Sequence, residues 1–230
     1  MDRRARPEEG LLRRAPVRVV NAVSEFHELY YGARERTWNN TYWLGYRAEK
    51  CPLDLWVYQE IVYETRPDVI IETGTAAGGS ALFLATTCDL VETGFVVTVD
   101  IADPGGRPGH PRIRYVSGSS TDPSTVERVR VLIPRGARVM AILDSDHAMD
   151  HVLAELEIYG ALVSPGNYLV VEDTNVNGHP IRPDFGPGPS EAVARFLADN
   201  EQFEVDAERE KFLMTFNPGG YLRKRSSSNG

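Results

Sequence analysis

The sequence predicts an α/β fold, with a mainly parallel sheet, helices on both faces and an antiparallel edge at the C-terminal end. Three observations predict it. Apolar runs at 69–71, 95–99, 138–143 and 168–171 alternate with helical patterns at 79–87, 122–133, 150–162 and 190–199, and such βαβα order implies parallel strands. The first run ends in an acid and turns through glycines, Val69-Ile70-Ile71-Glu72-Thr73-Gly74-Thr75-Ala76-Ala77-Gly78-Gly79-Ser80. Two short β-prone pieces, 203–206 and 212–216, follow the last parallel strand and suit an antiparallel edge pair.

Taken in order, Val19, Val23, Phe26 and Tyr30 recur at near-helical spacing and predict an amphipathic helix over about 17–31. It is expected to pack on the body of the protein or on a second copy of the chain. The aromatic, amide-rich stretch from Thr37 to Gly45 has no clean period and is a candidate lid. Pro52 opens a helical pattern that Pro67 closes. Residues 1–50 are thus expected to form an N-terminal helix and lid segment, and 51–230 a single globular domain. Gly178 to Pro189 is rich in Gly and Pro and ends at Ser190, an expected helix N-cap. The turn Asn217-Pro218-Gly219-Gly220 precedes a charged tail, Arg223–Gly230, expected to be frayed and solvated.

Composition narrows the partners. The 230 residues carry 25 Lys+Arg against 33 Asp+Glu, a formal charge of -8, which argues against a nucleic-acid partner. Cys51 and Cys88 are too few for a disulfide framework and lack metal spacing, as expected for a reducing compartment. The charged start, Met1 to Glu9, has no apolar core, and no later run reaches membrane-spanning length. A cytoplasmic protein without a membrane partner is the expectation.

The glycine loop places unpaired backbone amides at a helix start, where a polar ligand can approach closely. Gly74 and Gly78 have three residues between them, unlike the dinucleotide pattern G-x-G-x-x-G. Asp100 ends the next strand, 26 positions after Gly74 (100 − 74), where a ribose diol would sit. S-adenosylmethionine fits this arrangement better than a nicotinamide dinucleotide, because it has no phosphates and carries a cationic sulfur, ribose hydroxyls and an α-amino group. Glu72, Thr73, Gly74, Gly78, Ser80 and Asp100 are the candidate cofactor contacts, with Asp144 alongside and Ser119 and Ser120 bordering the adenine.

Two later strands also end in acids, at Asp144-Ser145-Asp146-His147 and Glu172-Asp173. In parallel neighbours those ends open on one crevice, so Asp144, Glu172 and Asp173 would converge. Three ionised carboxylates need compensation, and a hard cation supplies it: Mg2+, or Mn2+. A cation there would stabilise an alkoxide formed from an acceptor alcohol. Asp146 or His147 would take the proton, His having the more suitable unperturbed pKa. Trp38, Tyr42, Trp43 and Phe185 are candidate walls of a small-molecule acceptor pocket. His27, His110, His151 and His179 have no constellation around them.

The strings Lys50-Cys51-Pro52-Leu53-Asp54-Leu55-Trp56-Val57-Tyr58-Gln59-Glu60, Ile71–Gly74, Gly78–Ser80, Leu143–His147 and Val171–Thr174 resemble the family named for cephalosporin hydroxylase and rhamnosyl O-methyltransferases. The similarity runs from about Trp38 to Arg223. It implies a Rossmann-like class I S-adenosylmethionine-dependent methyltransferase fold. It also implies Mg2+ at Asp144, Glu172 and Asp173, the pair beginning 28 residues after the first ligand (172 − 144), and a base at Asp146 or His147. The expected reaction is O-methylation of a small natural product, a deoxysugar such as a rhamnosyl unit or another secondary metabolite. Two alternatives stand beside it: a non-catalytic partner subunit of a cephalosporin-type methoxylation system, and a nicotinamide-dependent oxidoreductase.

Overall fold

The computed structural model describes residues 17–226. The charged start at 1–9 and the end of the tail at 227–230 lie outside the described residues. Helix α1 (Val17–Gly32) is followed by two 3-10 turns (Arg34–Arg36 and Trp38–Asn40) and a hairpin of β1 (Tyr42–Trp43) and β2 (Tyr46–Arg47). The hairpin turn uses left-handed Leu44 and Gly45, the backbone a two-residue hairpin loop requires. Then come α2 (Pro52–Thr65), β3 (Val69–Thr73), α3 (Gly79–Leu90), β4 (Phe95–Asp100), β5 (Ile113–Ser117), α4 (Pro123–Leu132), β6 (Val139–Leu143), α5 (Met149–Gly160), β7 (Tyr168–Val171), α6 (Pro189–Asp199), β8 (Phe203–Val205) and β9 (Tyr221–Lys224).

The last seven strands form one sheet in the order β5-β4-β3-β6-β7-β9-β8. β3 to β7 pair in parallel, and β9 lies antiparallel between β7 and β8. Alternate strand residues feed two cores. Ile71, Val97, Ala141 and Val171 face α4, α5 and α6, while Ile70, Val96, Met140 and Val170 face α2 and α3. The chain leaves β3 toward β4 and β5, then returns to β6 on β3's other side. That reversal opens a crevice at the carboxyl ends of β3 and β6.

Three local expectations are corrected. Residues 212–216 form no strand: Met214 and Phe216 are buried against Cys51 and the aromatics of α1 and the second 3-10 turn. Burial, not pairing, accounts for Met214 and Phe216, while Phe212 and Leu213 are exposed. The antiparallel pair is instead β8 with β9, so Arg223 and Lys224 belong to the sheet rather than to a frayed tail. Lys224 Nζ donates to the carbonyls of Gly160 (3.0 Å) and Val163 (2.9 Å), meeting acceptors left open at the end of α5. Ser190 lies inside α6 rather than capping it. Pro189 takes the first turn, and Glu191 Oε2 accepts from Gly188 N at 2.7 Å.

Candidate active site

Gly74 follows β3 with φ +85°, and a Cβ on it would lie 1.8 Å from the carbonyl oxygen of Asp144. Only glycine lets the ends of β3 and β6 come this close. Gly79 begins α3 beneath the hairpin, where a Cβ would meet Arg47 O at 2.3 Å. The ligand loop is therefore roofed by the segment between α1 and α2. Trp43 anchors that roof, donating Nε1–H to Thr86 Oγ1 at 3.0 Å and meeting Phe83 edge-on. Trp38 packs inward against Tyr31 and Phe216, whereas Tyr42 is exposed.

Of the candidate cofactor contacts, Glu72 is fully buried beside the loop. Its Oε2 accepts from Thr98 Oγ1 at 2.6 Å, and its Oε1 has no hydrogen-bond partner. Burial pushes the Glu72 carboxyl pKa up, and nearby Lys50 opposes the rise. Thr73 Oγ1 accepts from Asp144 N at 3.2 Å, tying β3 to β6. Ser80 is buried in the first turn of α3, and Gly78 is its left-handed cap. Asp100 accepts from Ala76 N (2.8 Å) and Ala102 N (2.9 Å), and Arg107 pairs with it at 3.3 Å. Ser119 Oγ lies 3.2 Å from Thr121 Oγ1. Ser120 Oγ lies 3.1 Å from His151 Nε2, which also meets Ser145 Oγ at 3.1 Å, while Ser145 donates to Glu155 at 2.7 Å. His151 thus does have a constellation, bracing the loops after β5 and β6.

The acids divide. One ligand atom each from Asp144, His147 and Asp173 lies within 4.8 Å of the others, and His147 Nε2 is 3.2 Å from Asp173 Oδ2. Among the described residues this is the one such cluster of acid, His and Cys side chains. Its two carboxylates fit a hard cation that takes oxygen ligands, with the imidazole beside them. Asp173 is held at φ +54°, an uncommon conformation for a residue other than glycine. Glu172 turns the other way: its Oε1 accepts from Tyr58 OH at 2.9 Å and pairs with Lys50 Nζ at 2.7 Å. Lys50 also bonds Asp144 Oδ2. Asp146 is exposed, and its Oδ1 accepts from Ala148 N at 2.8 Å at the start of α5. Phe185 is half-buried under Arg182, in the loop that rests on His147 at Gly188.

Lys50 is the residue that sequence reasoning missed. Its ammonium is buried, so a hard metal ion is not the sole compensation for these carboxylates. Burial disfavours the charged ammonium, but Asp144, Glu172 and Glu72 outweigh it and hold the Lys50 pKa above its usual value. Burial and the nearby Asp144 carboxylate push Glu172 up to about 7, against the pull of Lys50. Asn217, expected only as a turn residue, donates Nδ2–H to Tyr58 OH at 2.9 Å and accepts from Asp173 N at 3.2 Å. The signal for Lys50 and Tyr58 lay in the string Lys50–Glu60, which carried the resemblance without a role for either residue.

Comparison with known proteins decides the family. The family described as rhamnosyl O-methyltransferase/CmcI matches residues 35–225. The chain belongs to this family. It is an S-adenosylmethionine-dependent O-methyltransferase, and the nicotinamide alternative falls. It is 43% identical to a rhamnosyl O-methyltransferase of Mycobacterium tuberculosis H37Rv over 214 residues, covering 89% of this chain and 86% of that one. Identity to the Mycobacterium leprae protein of the same name is 42%, covering 88% and 90%. Among solved structures it resembles CmcI with magnesium and S-adenosylmethionine (TM-score 0.61, 22% identity, 82% and 78% covered). It also resembles MycE with Mg, S-adenosylhomocysteine and mycinamycin VI (TM-score 0.58, 18% identity, 90% and 56% covered). At these identities the two structures establish the fold: the Rossmann-like α/β fold expected from the sequence. No helix among the described residues is long and apolar enough to cross a membrane.

Proposed function

We propose that this enzyme moves a methyl group from S-adenosylmethionine to a hydroxyl of a sugar unit, a rhamnosyl-like deoxysugar on a small natural product, with Mg2+ as its metal. One observation carries the reading: Asp144, His147 and Asp173 converge at the crevice beside Gly74, in a chain related to rhamnosyl O-methyltransferases. Mn2+ suits the same donors.

Each residue has a task. Asp100 faces the ribose hydroxyls, and the unpartnered Oε1 of Glu72 is an acceptor for the cofactor's polar end. Thr73, Gly74, Gly78 and Ser80 shape the loop that holds it, with Ser119 and Ser120 beside the adenine. Asp144 and Asp173, with Glu172 next to them, hold the cation, which when bound lowers the cost of forming an alkoxide. The His147 imidazole takes the acceptor's proton as the oxygen attacks the methyl carbon and the carbon–sulfur bond breaks. The products are a methyl ether and S-adenosylhomocysteine. Tyr42, exposed on the hairpin, and Phe185, beside His147, face the sugar, while Trp38 and Trp43 position the roof.

The test offers rhamnosyl glycosides with S-adenosylmethionine and Mg2+ and looks for a single added methyl group by mass spectrometry. Product is expected, and a chelator should abolish it. Turnover unaffected by chelation would overturn the metal role. Cofactor binding without product, until a second protein is added, would support the partner-subunit alternative. Asp144→Ala should lose the metal-supported activity and retain most cofactor binding, as measured by calorimetry with S-adenosylhomocysteine.

A further inference from the structure

The turn between β3 and α3 is clasped by two residues from the loop after β4. That loop is exposed over 101–106 and turns back at Arg107, whose side chain is only 7% exposed. The guanidinium reaches three groups at once. Its Nε donates to Ala76 O at 2.9 Å, its Nη2 donates to Ala102 O at 2.6 Å, and Nη2 also lies 3.3 Å from Asp100 Oδ2. The Tyr115 ring lies under it, 5.6 Å from centroid to guanidinium carbon. Pro108 closes the other end of the turn, where a Cβ on Gly78 would lie 2.8 Å from Pro108 Cδ. Tyr115 OH fixes Pro108 by donating to its carbonyl at 2.8 Å. Between these two contacts Ala76 has φ +45°, a left-handed backbone that a residue with a Cβ adopts only at a cost.

Asp100 is the acid assigned above to the ribose hydroxyls, and much of its carboxylate is already engaged. A carboxylate offers roughly four acceptor directions, two on each oxygen. Oδ2 takes Ala76 N at 2.8 Å and the Arg107 contact, while Oδ1 takes Ala102 N at 2.9 Å. Among the described residues, Oδ1 thus keeps an open direction and Oδ2 does not. We propose that Arg107 is a positioning residue of the cofactor site, fixing the Asp100 carboxylate and the Ala76 turn so that Oδ1 is presented to a ribose hydroxyl. This rests on the ribose reading of Asp100. The physical argument is rigidity. A guanidinium is planar, so three simultaneous contacts fix both its plane and the groups around it, which a lysine ammonium on a flexible stem does not do. Its bond to an ionised carboxylate is stronger than one between neutral groups. The acceptor and the turn are therefore ordered before the cofactor arrives, and that ordering is not subtracted from affinity. Without the guanidinium, Oδ2 regains an open direction and the carboxylate is no longer fixed for the sugar.

The experiment titrates two ligands by calorimetry, S-adenosylhomocysteine and its 2′,3′-dideoxy analogue, into wild type, Arg107→Met and Arg107→Lys. Wild type should bind the dideoxy analogue at least tenfold more weakly than S-adenosylhomocysteine. Arg107→Met should bind S-adenosylhomocysteine at least tenfold more weakly than wild type does, with KM for S-adenosylmethionine rising to match. Its affinity for the dideoxy analogue should stay within threefold of wild type, because that ligand has no hydroxyl for Asp100 to receive. Arg107→Lys keeps the charge without the fork and should fall between the two. Arg107→Gln carries the same expectation as Arg107→Met should the latter fail to fold. Equal losses for both ligands would make Arg107 a brace of its loop and overturn the proposal, as would unchanged binding of S-adenosylhomocysteine. Wild type that binds the two ligands alike would end the ribose reading of Asp100, and the role of Arg107 with it.

Discussion

Two neighbouring side chains compete for the role of base, and their surroundings separate them. Asp146 is committed to Ala148 N at the start of α5 and points into solvent. His147 faces Asp144 and Asp173, so its ring lies where the acceptor oxygen would approach. His147→Ala is expected to cost on the order of 10²–10⁴-fold in single-turnover rate, and Asp146→Ala less than about tenfold, removing a turn rather than a proton acceptor. The opposite order would assign the base to Asp146. Both residues were legible in the sequence as a strand-end pair; the choice between them needed a direction, which adjacent positions do not encode. Lys50 was less legible still. A lysine is ordinarily solvated, and what buries this one is a pair of acids 94 and 122 positions away (144 − 50 and 172 − 50).

At the scale of elements, the site depends on how closely β9 approaches β7. Gly220, just before β9, would place a Cβ 2.3 Å from Val171 O, and its own carbonyl accepts from Val171 N at 2.9 Å. Gly220→Ala must push the two strands apart next to Glu172. A loss of about 1–3 kcal/mol, the usual cost of overpacking, is expected in urea unfolding, together with weaker Mn2+ binding. Wild-type stability in this variant would show that the edge can yield. The parallel strands and their helices were readable because each strand is a compact apolar run and the helices between keep a helical pattern, one of them opened by Pro52. The antiparallel edge was not. Phe212–Phe216 has the composition of a strand, but Met214 and Phe216 pack under α1 while Phe212 and Leu213 are exposed, and the true strand carries Arg223 and Lys224. Composition reports burial, and here burial and backbone pairing parted.

At the scale of the whole molecule, α1 is tied to the catalytic end of the sheet through His27. The ring is 4% exposed, stacks on Phe216 at 5.5 Å, and its Nε2 lies 2.9 Å from Asn175 Nδ2, two residues beyond Asp173. Burial lowers the His27 pKa to about 4, although the Asp173 carboxylate acts the other way. The folded state therefore favours the neutral ring, while the unfolded chain takes a proton near pH 6.5. The stabilisation is full above pH 6.5 and is lost as pH falls toward about 4. Between pH 7.5 and pH 5 this should remove about 1–2 kcal/mol after allowance for solvent screening. Urea midpoints of wild type and His27→Gln at the two pH values measure it, because glutamine is polar but does not titrate. Equal acid sensitivity in the two proteins would place the titrating group elsewhere. A larger loss in wild type would mean that acid loosens α1 from the loop that holds Asp173, so that metal binding and the docking of α1 weaken over the same pH range.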